Sequence, residues 1–143
     1  MPVANGVKEY RGFLMTRDPV HIGTGSYRLG RVDLPIMREP GTNLPKIPGT
    51  SLNGMARAYA ALLAKGTRAE CAGQGRLHCG DKLCPVCYTF GTIPKGGGPT
   101  KRTGWAGTAN IFDAHLLFFP VATMCGPVWV TSPSALERAG FLN

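Results

Sequence analysis

The sequence predicts an α+β fold of the ferredoxin-like kind, and three observations lead there. Apolar residues recur at helical spacing between positions 51 and 65. Apolar runs suited to strands flank that segment. The order along the chain is strand, helix, strand, strand, helix start. At 143 residues the chain is long enough to bury a core and reads as a single domain spanning 1–143.

Residues 10–17 (YRGFLMTR) suit a strand, with Phe13 and Met15 on one face and Gly12 and Leu14 on the other. HIGTGSYRLG, from His21 to Gly30, is a loop punctuated by glycine. VDLPIM, Val32 to Met37, is apolar apart from Asp33, and Pro35 argues for an edge or a bend. In PKIPGTSLNGMAR (45–57), Pro45 and Pro48 keep the chain extended until Thr50 or Ser51 caps a helix. Leu52, Met55, Tyr59 and Leu62 or Leu63 form its apolar stripe, and Gly66 suits its C-cap, so the helix is expected over 51–65. Residues 66–91 carry four cysteines and little periodicity, and 95–104 (KGGGPTKRTG) read as a flexible basic loop. ANIFDAHLLFFPV (109–121) reads as a strand buried on both faces toward its end, and GPVWVT (126–131) as its antiparallel partner. Ser132 or Ser134 then opens a second helix, with Pro133 tolerated in its first turn. A ferredoxin-like sheet continues with the rest of that helix and a last strand. The sequence is therefore expected to be a fragment, or one half of a split subunit completed by another chain, because an open sheet edge is a liability.

Sixteen basic against eight acidic residues give a net charge of +8, which points to a polyanionic partner. The N-terminus MPVANGVKEYRGF has no apolar signal region, and the longest apolar stretch is broken by Pro120, Thr123, Gly126 and Pro127, so neither export nor a membrane span is expected. A cytoplasmic, reducing setting follows, in which five cysteines are not expected to form disulfides.

Cys71, Cys79, Cys84 and Cys87 fall within 17 positions, and Cys84-Pro85-Val86-Cys87 is a C-x-x-C knuckle, the spacing that lets two thiolates reach one ion. Four such ligands make a closed tetrahedral site, so structural zinc is expected in an insertion over 67–91, with His78 as an alternative ligand. A redox pair would need a thioredoxin-like strand-to-helix setting, which is absent. Cys125 is expected to be a small buried hydrophobe.

The segment before the first helix suggests a phosphate site. A helix start exposes unpaired N–H groups and partial positive charge. Ser51 and Asn53 add donors, Arg57 lies one turn on from Asn53 and away from the apolar stripe, and Gly54 leaves room for a backbone. Arg28, Arg31, Arg38 and Lys46 surround it in sequence, which makes RNA the expected ligand. A well-capped helix with a solvated arginine is the plainer alternative.

HIGTG, then GRVDLPIMRE, then PKIPGTSLNGMAR resemble the opening motifs of the RAMP superfamily, closest to the backbone subunit of type III CRISPR effectors in the Cmr branch. DAHLLFFPVA and GPVWVTSPSALER resemble the same family's central strand pair and second helix. The chain is about half the length such a subunit implies. The resemblance implies a RAMP fold incomplete at its C-terminus, copies stacked on a guide RNA, and backbone contacts from Ser51, Asn53 and Arg57, with His21, Arg31, Arg38 and Lys46 nearby. It implies cleavage of target RNA at Asp33, dependent on magnesium or manganese and leaving a cyclic phosphate, and partner RAMP subunits, one of them completing the fold. It also implies the zinc insertion. The alternatives are a scaffold that holds guide RNA without cutting, and a zinc-dependent protein-interaction module whose charge is incidental.

Overall fold

The computed structural model describes residues 6–24, 35–64, 71–72, 78–92 and 104–142. The chain divides into two compact units, Met1–Ile36 and Met37–Asn143. In the first, residues 7–16 form no ladder, and Tyr10, Phe13, Leu14 and Met15 are exposed, so the strand expected over 10–17 is not formed. One isolated bridge joins Gly23 to Ile36.

The second unit contains β1 (Lys46–Ile47), α1 (Gly49–Leu63), α2 (Pro85–Phe90), β2 (Ala114–His115), β3 (Phe119–Thr123), β4 (Gly126–Val130) and α3 (Pro133–Ala139). Its described strands make two separate antiparallel pairs, β1 with β2 and β3 with β4, not one four-stranded sheet. The single strand expected over 109–121 is divided, and its two pieces pair with different partners. The β3–β4 hairpin runs from Phe119 opposite Val130 to Thr123 opposite Gly126. Gly126, at φ +107°, takes the left-handed conformation that this tight turn needs. The antiparallel pairing with 126–131 is as expected, but the burial expected toward the end of 109–121 is not found. All five β3 residues and four of the five in β4 are exposed, and Cys125 is exposed in the turn. A two-stranded hairpin without a covering layer cannot bury either face.

The first helix departs from expectation at its start and in its orientation. It begins at Gly49 with Pro48 at the N-cap and no local side-chain cap, so neither Thr50 nor Ser51 serves as cap. The cap comes instead from Asp113, whose Oδ1 accepts the Gly49 N–H at 2.7 Å while Oδ2 pairs with Lys46 Nζ at 2.6 Å. A Cβ at Gly49 would collide with the carbonyl of Ile111, so the residue is glycine because two backbones touch there. The expected C-cap, Gly66, lies outside the described residues. The apolar stripe points outward, with Met55, Tyr59, Leu62 and Leu63 all more than half exposed. The buried positions are Gly49 at its start and Arg57 and Ala61, the last two one turn apart on the opposite face.

That face packs on the cysteines. The buried cluster is Ala61, Cys71, Cys84, Val86 and Cys87, with Ala64, Ala72, Cys79, Phe90 and Trp105 against it. No large aliphatic residue is fully buried among the described residues, and the largest fully buried side chains are three cysteines. α3 is capped as expected, with Ser132 Oγ accepting the Ala135 N–H and Gly140 ending the helix in a left-handed conformation.

A buried carboxylate ties the two ends of this unit together. Glu39 accepts from Thr42 Oγ1 at 2.5 Å, meets His115 Nδ1 at 2.5 Å and faces Arg138 at 3.4 Å. The Thr42 hydroxyl, then His115 and Arg138, overcome the burial penalty and hold its carboxyl at about 2, against an ordinary 4.5. A depressed carboxylate stabilises the fold above its unfolded pKa and loses that contribution as pH falls toward the folded value. Urea unfolding is expected to show stability falling between about pH 4.5 and 2. Glu39→Gln should cost about 2 kcal/mol at pH 7 and flatten that acid-side decline.

Candidate metal centre and helix start

The four expected cysteines converge. Their sulfurs lie within 4.8 Å of one another, and the group is complete without His78. Cys79 Sγ is 3.7 Å from Cys87 Sγ, and Cys71 Sγ is 3.8 Å from those of both Cys84 and Cys87. A tetrahedron of sulfurs each about 2.3 Å from a central ion has edges of about 3.8 Å. The residues therefore fit a four-thiolate metal and could hold one. No disulfide joins them.

Local geometry prepares this set. Asp81 starts the turn, accepting the Leu83 N–H on its side chain and the Cys84 N–H on its carbonyl. Cys84 is then the N-cap of α2, with Pro85 at the first helical position, and one turn later Cys87 points back to the same place. Sequence reading found the knuckle but not the helix that carries it; Pro85 directly after Cys84 was the available signal. Burial raises the Cys84 thiol, but the N–H groups of Cys87 and Val86 and the thiols of Cys79 and Cys71 more than offset it, leaving it at about 7. Burial pushes Cys71 up to about 12 and also raises Cys87.

Behind the cluster, residues 104–109 lie against the end of α2. Thr92 N–H donates to the Trp105 carbonyl at 3.0 Å, and Thr108 and Ala109 donate to the carbonyls of Tyr88 and Thr89. His78 is buried with Nδ1 3.4 Å from Thr92 Oγ1. Burial, and then the charge of Arg57, lower its pKa.

The residues expected to grip RNA are distributed differently from their sequence grouping. Arg57 is 6 % exposed and points inward, donating to the carbonyls of Cys71 and Gly91 and toward Cys87 Sγ. It is not on the solvent side of α1, because its face is the one the cysteine cluster covers. Lys46 is engaged by Asp113, and the first amide of α1 is capped by the same carboxylate. Lys46 and Gly49 lower the Asp113 pKa, in that order. Asp113 was missed in the sequence, although a lone carboxylate in the apolar run ANIFDAHLLFF was the signal. Ser51 is exposed, and Asn53 is half-buried with an Oδ1 that has no partner. Arg38 is exposed and donates to the Asn43 carbonyl at 2.8 Å. Asn53, Gly54 and Arg57 line an open cleft of about 520 Å³ walled by Phe90 and Trp105. His21 is exposed in the first unit. Asp33, Arg28 and Arg31 lie outside the described residues, as does the basic loop up to residue 103. Among the described residues, no helix is long and apolar enough to cross a membrane.

Comparison with known proteins gives a family match. The family model of the RAMP superfamily matches residues 13–139. The chain is 36 % identical over 134 residues to the CRISPR system Cmr endoribonuclease Cmr4 of Pyrococcus furiosus, covering 92 % of this chain and 38 % of that protein. It is 34 % identical over 95 residues to the CRISPR system Cms endoribonuclease Csm3 of Methanothermobacter thermautotrophicus, covering 63 % of this chain and 36 % of that protein. The chain thus spans under two fifths of the length of either relative. No solved structure gives a significant match.

Proposed function

The chain belongs to the RAMP superfamily, and from that premise we propose that it is a guide-RNA-binding backbone module of a type III CRISPR effector that cuts complementary target RNA. The observation that carries this reading is similarity across 92 % of the chain to a relative named as a CRISPR endoribonuclease. The net charge of +8 supports it, since phosphate neutralisation supplies most of the affinity of such proteins for RNA. Ser51, Asn53 and Arg38, with His21 and Arg31, are the residues assigned to RNA. Arg57 and Lys46, engaged within the protein, act on it indirectly. Phe90 and Trp105 offer an aromatic wall on which a base can stack. The metal assigned to the four cysteines is zinc in a structural role. Guide RNA, target RNA and neighbouring RAMP subunits are the proposed partners.

Asp33 is assigned to cleavage. A ribose 2′-hydroxyl attacks the adjacent phosphorus, the bond to the 5′-oxygen of the next nucleotide breaks, and that oxygen leaves with a proton. The products are a 2′,3′-cyclic phosphate and a free 5′-hydroxyl. The carboxylate orients the attacking hydroxyl and receives its proton. A divalent cation, magnesium or manganese, would supply charge neutralisation on the phosphate. A single carboxylate does not make a metal site, so RNA phosphates or a neighbouring subunit contribute the remaining ligands.

In the effector assembled on guide RNA, Asp33→Ala is expected to lower the rate of target cleavage by roughly 100-fold or more while target binding is retained. Target binding and cleavage both unchanged by that substitution would remove Asp33 as the cleaving residue and leave this chain as a scaffold that holds RNA while any cutting rests elsewhere in the complex. Binding that does not weaken with salt would exclude both RNA readings.

A further inference from the structure

We propose that Arg57 is a positioning residue of the metal centre, supplying the counter-charge of a tetrathiolate and fastening α1 to it. This inference rests on the assignment of a metal to the four cysteines and names what else that centre requires. A guanidinium cannot be deprotonated inside a protein, so burying it demands compensation. Arg57 is 6 % exposed, and among the described residues no carboxylate pairs with it. Its compensation comes from two carbonyls and a sulfur. Nε donates to the Cys71 carbonyl at 2.7 Å, one terminal nitrogen to the Gly91 carbonyl at 2.6 Å, and the other lies 3.6 Å from Cys87 Sγ.

Carbonyl dipoles alone do not neutralise a buried full charge, and neutral thiols add little. Four thiolates around a divalent cation carry a net charge of −2, and a donor aimed at one of those sulfurs is then a charge-assisted hydrogen bond. The same fork holds two pieces of the ligand frame in place. One arm fixes the backbone of the ligand Cys71, and the other fixes Gly91, directly after the helix that carries Cys87. Groups that hydrogen-bond metal ligands in this way tune both affinity and ligand basicity. Lysine could keep the charge but not the three-way geometry.

The test is metal binding by the purified chain, with zinc affinity read by chelator competition and sulfur electronics by the thiolate-to-metal charge-transfer band of cobalt(II). Arg57→Gln is expected to weaken zinc binding roughly 10- to 100-fold and to shift that band to lower energy, because the thiolate loses its donor. Arg57→Lys should fall between the wild type and Arg57→Gln on both measures. Zinc affinity of Arg57→Gln within about twofold of wild type, or an unmoved charge-transfer band, would overturn the proposal. If Arg57→Gln fails to fold, Arg57→Lys decides alone, with a loss of roughly tenfold expected and none refuting. A wild-type chain that takes up no metal defeats the metal assignment itself, a result distinguishable from metal bound equally well without the arginine.

Discussion

Removing the metal is expected to unfold the second unit. Among the described residues its buried cluster is three cysteines and two small aliphatic residues, with Cys79 against it, and that is too little apolar surface to offset the entropy of ordering the chain. A metal bound to the four cysteines would supply what a hydrocarbon core would otherwise provide, since structural zinc sites contribute on the order of 10 kcal/mol to folding. The purified chain should carry close to one equivalent of zinc. Excess chelator should abolish the cooperative thermal transition, and zinc should restore it. Cys84→Ser should behave like the stripped protein, because it removes one of the four proposed thiolate ligands. A melting temperature unchanged after the metal is stripped would refute this.

The second large effect is expected at Gly91 and Gly107. Gly91 ends α2 at φ +82°, and a Cβ there would stand 2.7 Å from the Gly107 nitrogen. A Cβ on Gly107 would stand 2.6 Å from the Gly91 nitrogen and closer still to the Thr89 carbonyl. Both obstacles are backbone, which cannot rotate away. The left-handed conformation costs a non-glycine residue about 1–2 kcal/mol, and overpacking adds about 1–3. Gly91→Ala therefore loses about 2–5 kcal/mol, and Gly107→Ala about 1–3, with the metal-loaded protein melting correspondingly lower. The contact also sets the carbonyl that receives Arg57, so Gly91→Ala should weaken metal binding as well. Alanine tolerated at both positions, with no change in melting or in metal uptake, would contradict the close approach.

The cysteine site was legible because its information is local: C-x-x-C and two nearby thiols name their own geometry. Periodicity located α1 but not the face it buries, since the rule assumes a hydrocarbon core and here the buried partner is a thiol cluster lying over Arg57 and Ala61. The start of α1 was misjudged by two residues because its cap, Asp113, lies 64 positions away and no local pattern signals it. A similar distance hid the pairing of Lys46 with Asp113. In β3 and β4 the two apolar runs gave the pairing but not the burial, which depends on what covers the hairpin. The assignment of cleavage to Asp33 comes from family resemblance, and that residue lies outside the described structure.

The clamp on Glu39 has a consequence for the order of events during synthesis. Its cationic partner, Arg138, lies 99 residues downstream. Translation adds roughly 5–20 residues per second, so the carboxylate waits about 5–20 s before that partner has been made. Until then the early turn around Thr42 has its local bonds, joined first by His115, 76 residues downstream of Glu39. The nascent segment therefore leaves the ribosome with its carboxylate unlatched, and the clamp is closed by residues made much later.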